Sequence, residues 1–128
     1  MSKRVVRTTL GPEAIGAYSQ AIISGNFIFV SGQIAIDPAT GNLIEEKDIK
    51  SQTRRCLLNL QGILQGAGAT LSNVVRTTVF LKNMGDFAEF NGVYAEFFKV
   101  DPPARSTVEV ARLPRDVSIE IDCIAVIG

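Results

Sequence analysis

Histidine is absent from this chain of 128 residues, and that absence restricts its chemistry more than any other. Without imidazole there can be no Ser-His or Cys-His nucleophile pair and no His-ligated metal. Cysteine is scarce as well. Cys56 and Cys123 are too few for a disulfide framework and lack CxxC spacing. Cys56 falls on the apolar stripe of an expected helix, and Cys123 alternates in phase with Val117, Ile119 and Ile121, so both read as small buried hydrophobes. Net charge is missing too: thirteen basic and thirteen acidic side chains cancel and are interspersed along the chain. Nothing resembles the one-sided basic footprint of a nucleic-acid binder, so no nucleic acid is expected as a partner. No apolar run is long enough to span a bilayer, and the positively charged start, Met1 to Arg7, lacks the apolar segment of a signal peptide. A soluble, cytoplasmic protein with no membrane partner is expected.

What is present suits one domain over residues 1–128, with 46% apolar residues to build a core and no repeat, low-complexity tract or linker. The first third reads as strands, Arg4 to Thr8, Ala21 to Ser24 and Phe27 to Val30, the last two flanking Gly25-Asn26, a pair suited to a tight hairpin. Asp37-Pro38-Ala39-Thr40-Gly41 is a second turn signal. From Ile49 the period changes. Ile49, Thr53, Cys56, Leu57, Leu60, Ile63 and Leu64 mark one face of a helix ending near Gly66-Ala67-Gly68. Val74 to Leu81 is a β-branched strand. Asp86 is the expected N-cap of a second helix with Phe87, Phe90, Tyr94, Phe97 and Phe98 on its apolar side, stopped by Pro102-Pro103. Ala104 to Val110 and Val117 to Val126 complete an α+β pattern of about six strands and two helices. Two helices cannot cover both faces of such a sheet, so they are expected on one face, leaving the other to self-association.

The stretch Ala104-Arg105-Ser106-Thr107-Val108-Glu109-Val110-Ala111-Arg112-Leu113-Pro114, followed by Glu120 in an apolar strand, carries the polar chemistry. Alternation puts Arg105, Thr107 and Glu109 on one face of their strand and Ser118, Glu120 and Asp122 on one face of the next. If the two strands form a hairpin with Val110 opposite Val117, Thr107 lies opposite Glu120, Arg105 opposite Asp122, and Arg105 diagonal to Glu120. Arg105 could then hold a carboxylate in a bidentate fork or form a structural ion pair with Asp122 or Glu120. Glu120 could equally be a charge that deters misassociation of an edge. Tyr18 in Gly16-Ala17-Tyr18-Ser19-Gln20 offers a hydroxyl or a half-buried amphipathic ring. Ser31-Gly32-Gln33 ends a strand where Gly32 admits a ligand to the backbone or where Ser31 merely turns the chain. Asn91, beside Gly92 in the second helix, faces solvent, bonds locally or reaches a cleft.

Ile15 to Ala21, Val30-Ser31-Gly32-Gln33-Ile34, Asp86-Phe87-Ala88-Glu89-Phe90-Asn91, Pro103 to Val110, Leu113-Pro114 and Ile119-Glu120-Ile121 together resemble the reactive intermediate deaminase A (RidA, YjgF) family over nearly the whole chain. The resemblance implies a chorismate-mutase-like α+β fold and a homotrimer with active sites between subunits. It further implies hydrolysis of reactive 2-enamino or 2-imino acids to 2-oxo acids and ammonia, as a 2-iminobutanoate/2-iminopropanoate deaminase, without metal or organic cofactor. Carried over to this chain, Arg105 matches the carboxylate-binding arginine and Glu120 the acid that positions and activates water. Tyr18, Ser31 and Asn91 match cleft positions, and the backbone at Gly32 and Thr107 would contact substrate. Many members of the family have cysteine where this chain has Thr107, so a mechanism through a thiol there would fail, whereas one through water would not. The alternative from another class is a non-catalytic trimer that binds small 2-oxo acids and regulates translation or purine metabolism. A mere sensor of carboxylates has little use for Glu120, which would repel its ligand.

Overall fold

In the computed structural model, which describes residues 3–128 and so leaves Met1 and Ser2 of the charged start outside it, Gly25 takes φ 59° and closes the expected hairpin. Its arms are β2 (Ala21–Ser24) and β3 (Phe27–Gln33), with Ser24 opposite Phe27. β1 (Arg4–Val6) adds to β2 on the outer side. After the turn at Asp37–Gly41, helix α1 (Ile49–Gly66) begins where the Asp48 carboxylate accepts from the Ser51 N–H at 2.9 Å. That bond lowers the Asp48 pKa below the ordinary carboxylate range. The full apolar stripe expected for this helix is buried. Leu57, Leu60, Ile63 and Leu64 have no exposure at all, and truncating one of them, as in Leu60→Ala, would cost about 2–5 kcal/mol.

β4 (Val74–Leu81) leads through a 3-10 turn at Met84–Asp86 into helix α2 (Phe87–Phe97). Asp86 holds the N-cap position expected of it but does not act as a side-chain cap. It already has helical dihedrals, φ −82° and ψ 0°, and makes no capping bond, because the chain enters α2 from the 3-10 turn. Asn83 caps that turn instead, accepting from the Gly85 N–H at 2.8 Å. β5 (Ala104–Glu109) and β6 (Ile119–Val126) follow.

The strands form one mixed sheet in the order β1-β2-β3-β6-β4-β5, an α+β arrangement with two helices. Here the expected hairpin fails: β4 lies between β5 and β6, parallel to β5 and antiparallel to β6. The β4-to-β5 connection is a crossover through α2, as parallel neighbours require. The link from β5 to β6 spans the end of β4, with the Val110 N–H donating to the Leu81 carbonyl at 2.9 Å and Lys82 N–H to the Ser118 carbonyl at 3.0 Å. Leu113 and Val117 anchor this link in the core.

Burial alternates along β3 and β6, so one face of the sheet is covered by the helices. Ile28, Val79, Ile119 and Ile121 lie fully buried there, as do the free thiols of Cys56 and Cys123. Burial pushes the Cys123 thiol up to about 12, which makes it inert. The other face is open: Phe27 and Phe29 are 47% and 43% exposed, and Val108 42%. Both helices therefore share one face, as the helix count predicts.

Candidate functional site

Arg105 is held by α2. Phe87, Phe90, Asn91 and Tyr94 recur at three and four residue steps, so one helical edge presents three rings and an amide to β5. The Arg105 Nη1 donates to Asn91 Oδ1 at 2.8 Å. Its guanidinium carbon lies 4.7, 5.3 and 5.5 Å from the ring centroids of Tyr94, Phe90 and Phe87, within cation–π range of all three. Tyr94 is itself fixed by a 2.7 Å hydroxyl–hydroxyl bond to Thr77, and burial raises its pKa. Asn91 thus neither faces solvent nor bonds locally; it orients the arginine. Neither Asp122 nor Glu120 pairs with Arg105, so the structural ion pair is not formed. Thr107 lies two residues along the same face, and its buried Oγ1 has no hydrogen-bond partner. Glu109 Oε1 accepts from the Met84 N–H at 2.8 Å, tying β5 to the turn that starts α2.

Glu120 is on the other face. Paired residues in a ladder project to the same side, and Arg105, Thr77 and Cys123 are in register across three strands. Cys123 is buried beneath the helices, so Glu120, three residues away, projects oppositely. Two strand spacings, about 10 Å, also separate β5 from β6. The diagonal contact between Arg105 and Glu120 expected from a hairpin therefore does not exist within one chain.

Around Glu120 a second group forms. Val30 and Gln33 pair with Cys123 and Ile121, so Ser31 and Gly32 together oppose the single residue Asp122 in a β-bulge. The bulge brings Gly32 against Glu120: a Cβ there would collide with the Glu120 carboxyl. Glycine is needed for that contact rather than for a positive φ. Ser31 Oγ donates to the Ser19 carbonyl at 2.5 Å, linking the bulge to the Tyr18 turn. Tyr18, Ser31, Gly32 and Glu120 line one cleft of about 570 Å3, together with Pro114 and Arg115. Half-burial, then the nearby Asp122 charge, raise the Glu120 pKa above the usual carboxylate range.

Several contributors had no signal in the residue pattern. The buried Gln20 amide donates to the Pro12 and Thr8 carbonyls at 2.7 and 2.9 Å and accepts from the Thr8 N–H at 2.8 Å, shaping the cleft wall ahead of Tyr18. Asn59, fully buried on α1, donates to the Ile34 and Ile36 carbonyls at 3.2 and 2.9 Å. No described helix is long and apolar enough to cross a membrane.

Residues 8–127 match the family model described as endoribonuclease L-PSP. The chain belongs to the RidA/YjgF, or L-PSP, family. Among the relatives of this RidA-family chain, a RutC family protein of Pyrococcus abyssi is 54% identical over 125 residues, 98% of each chain. A crystal structure from Yersinia pestis, described as a conserved Rid family protein of unknown function, is 45% identical with TM-score 0.95, covering 98% of this chain and 100% of that one. Escherichia coli TdcF, crystallised with bound serine, is 40% identical with TM-score 0.92 over 98% and 99% of the two chains.

Proposed function

We propose that the protein is a deaminase that hydrolyses reactive 2-imino and 2-enamino acids to 2-oxo acids and ammonia, as a cytoplasmic homotrimer whose sites lie between subunits. The observation that carries this is the separation of the two groups. Arg105 sits on the edge strand β5, where it can reach a neighbouring chain, while Glu120 looks out from the uncovered face. A second copy covering the apolar face with Phe27, Phe29 and Val108 supplies its Arg105 to the first copy's cleft. Three such contacts close a ring.

In this arrangement the Arg105 fork, one arm held by Asn91, binds the substrate carboxylate with its remaining N–H groups. An imine carbon is already electrophilic, so the site has to orient it and manage protons rather than supply a nucleophile. Water adds to C2 while Glu120 takes one of its protons and passes it to the imine nitrogen, giving a carbinolamine. Glu120 then takes the proton of the new hydroxyl as the C2–O double bond forms and delivers it to the nitrogen as the C2–N bond breaks, releasing ammonia and leaving the 2-oxo acid. A raised carboxyl pKa suits both halves of this exchange near neutral pH. Tyr18, Ser31 and the Gly32 and Thr107 backbone line the path, and no metal or organic cofactor is required. The serine bound by TdcF supports a small amino-acid-like ligand for this chain as well. Equal numbers of basic and acidic side chains favour a small substrate over the RNA that the family's endoribonuclease name would imply.

The test is ammonia release from 2-iminobutanoate generated in situ by a threonine dehydratase. Acceleration by the wild type, with a loss of about 10²–10⁴ in kcat/KM for Glu120→Ala, is expected. Full activity in both Arg105→Ala and Glu120→Ala would sink the proposal and leave a ligand-binding trimer.

A further inference from the structure

The cleft that holds Glu120 also holds a cation unconnected with Arg105. Arg115 lines it beside Pro114, Ser31 and Gly32. Its backbone is left-handed, φ 56° and ψ 23°, and Asp116 follows at φ 56°. Two consecutive non-glycine residues in that region are strained and persist only where their surroundings impose them. The constraint is visible. The Asp116 and Val117 N–H groups donate to the Leu113 and Pro114 carbonyls at 3.1 and 3.3 Å, and buried Leu113 and Val117 pin both ends of the turn.

The charges around this turn are sorted unevenly. Asp116, the next residue in the chain, accepts from Arg112 Nε at 3.2 Å. The ion pairs among the described residues are this one and Arg54–Glu96; Arg115 is in neither, and Glu13, which lines the same cleft, leaves it unpaired. A strained turn thus places an exposed arginine without an ion-pair partner at a cleft whose walls include Ile15, Ile34 and Ile36 beside the carboxylates of Glu13 and Glu120. An aliphatic substrate substituent needs those apolar walls but not that cation.

We propose that Arg115 is a specificity-determining residue that binds a second, distal carboxylate, so that the cleft accepts dicarboxylic 2-imino acids, the imines of acidic amino acids. This rests on the deaminase reading, in which Arg105 takes the carboxylate next to the imine carbon and leaves Arg115 for the substituent. Arg115 enters none of the bond changes. It contributes a charge-assisted, bidentate contact that a monocarboxylic imine cannot use.

The experiment compares kcat/KM for an imine generated from aspartate by an amino-acid oxidase with that for 2-iminobutanoate, in wild type, Arg115→Gln and Arg115→Asn. Asparagine tolerates the left-handed backbone and keeps the comparison intact if glutamine destabilises the turn. In both variants the ratio of dicarboxylic to monocarboxylic kcat/KM is expected to fall about tenfold or more, mainly through KM. An unchanged ratio, or a wild type that turns over only the monocarboxylic imine, overturns the proposal. A wild type inactive on both overturns the deaminase reading itself.

Discussion

The two faces of the sheet carry groups of opposite character. Beneath the helices, Arg105 is fixed by one amide and three rings, its anchor Tyr94 is fixed in turn by Thr77, and little there can move. On the open face, Glu120 has no cation partner and lies against a bare glycine in a bulge, with a carboxyl pKa raised by burial and by Asp122. The group proposed to bind the substrate carboxylate is thus held by several partners, whereas the group proposed to handle protons has none among the described residues and a raised carboxyl pKa. Binding a carboxylate favours a preorganised fork, and proton transfer favours a pKa near the working pH. Placing the two on opposite faces lets each environment be tuned without disturbing the other. In the proposed assembly each site therefore takes Arg105 from one chain and Glu120 from another.

The strongest way to break this comparison is to put the two defects on different chains. Arg105→Ala and Glu120→Ala homo-oligomers should each be nearly inactive. Mixed and reassembled in equal amounts, they should recover about a quarter of wild-type activity, the fraction of interfaces that pair an intact arginine with an intact glutamate. No recovery on remixing, with subunit exchange confirmed by mass spectrometry, would place both groups' work within one chain.

Much of this was legible in the residues, but the relation between the groups was not. The α1 stripe and the Gly25-Asn26 hairpin are local patterns with one solution each, and the structure has both. The pairing of β5 with β6 was a default inferred from their adjacency in sequence. It failed because α2 is a crossover helix, and a crossover makes β5 parallel to β4 and pushes it to the edge. The face assigned to each side chain followed from alternation and was right within each strand. Which strands were neighbours, and so whether the two polar faces coincide, depended on long-range topology. The Arg115 turn is not legible in the sequence because left-handed backbone at arginine and aspartate has no signature in residue type.

The next largest effect tests the Glu120 side alone. Gly32→Ala places a methyl where the Glu120 carboxyl lies, and the flexible side chain must swing away while the fold persists. Turnover should fall about 10- to 100-fold, the usual range for a misplaced general base, with little change in Tm. Normal turnover in Gly32→Ala would mean that the exact place of the carboxyl is unimportant. On the other side of the sheet, Thr107→Val replaces an unpartnered buried hydroxyl by a methyl of the same shape. The fold should gain up to about 1 kcal/mol by losing that polar group. If the free hydroxyl instead serves the ligand, KM should rise a few-fold while kcat holds, and both changes are measurable on one variant.

The smallest expected effect concerns stability, and its sign separates the two groups. Because the folded state raises the Glu120 pKa, it favours the protonated form. The contribution of this residue to stability is therefore fully present below the unfolded carboxylate pKa and is lost as pH rises through the raised folded value. Asp122 is raised by burial in the same direction, with Thr78 hydrogen bonds and Arg76 working against it, so it reinforces the trend. Glu120→Gln, which cannot ionise, should thus raise Tm at pH 7, by an amount equivalent to about 0.5 kcal/mol once solvent screening of a half-exposed carboxyl is allowed for. The gain should vanish near pH 4, where wild-type Glu120 is already protonated. Arg105→Gln should show no such gain, because the loss of the guanidinium leaves Asn91 and three rings without their partner. A Glu120→Gln protein less stable than wild type at pH 7 would mean that the carboxylate is stabilised by a cation in the assembled protein, and the contrast between a fixed charge and a changeable one would fail.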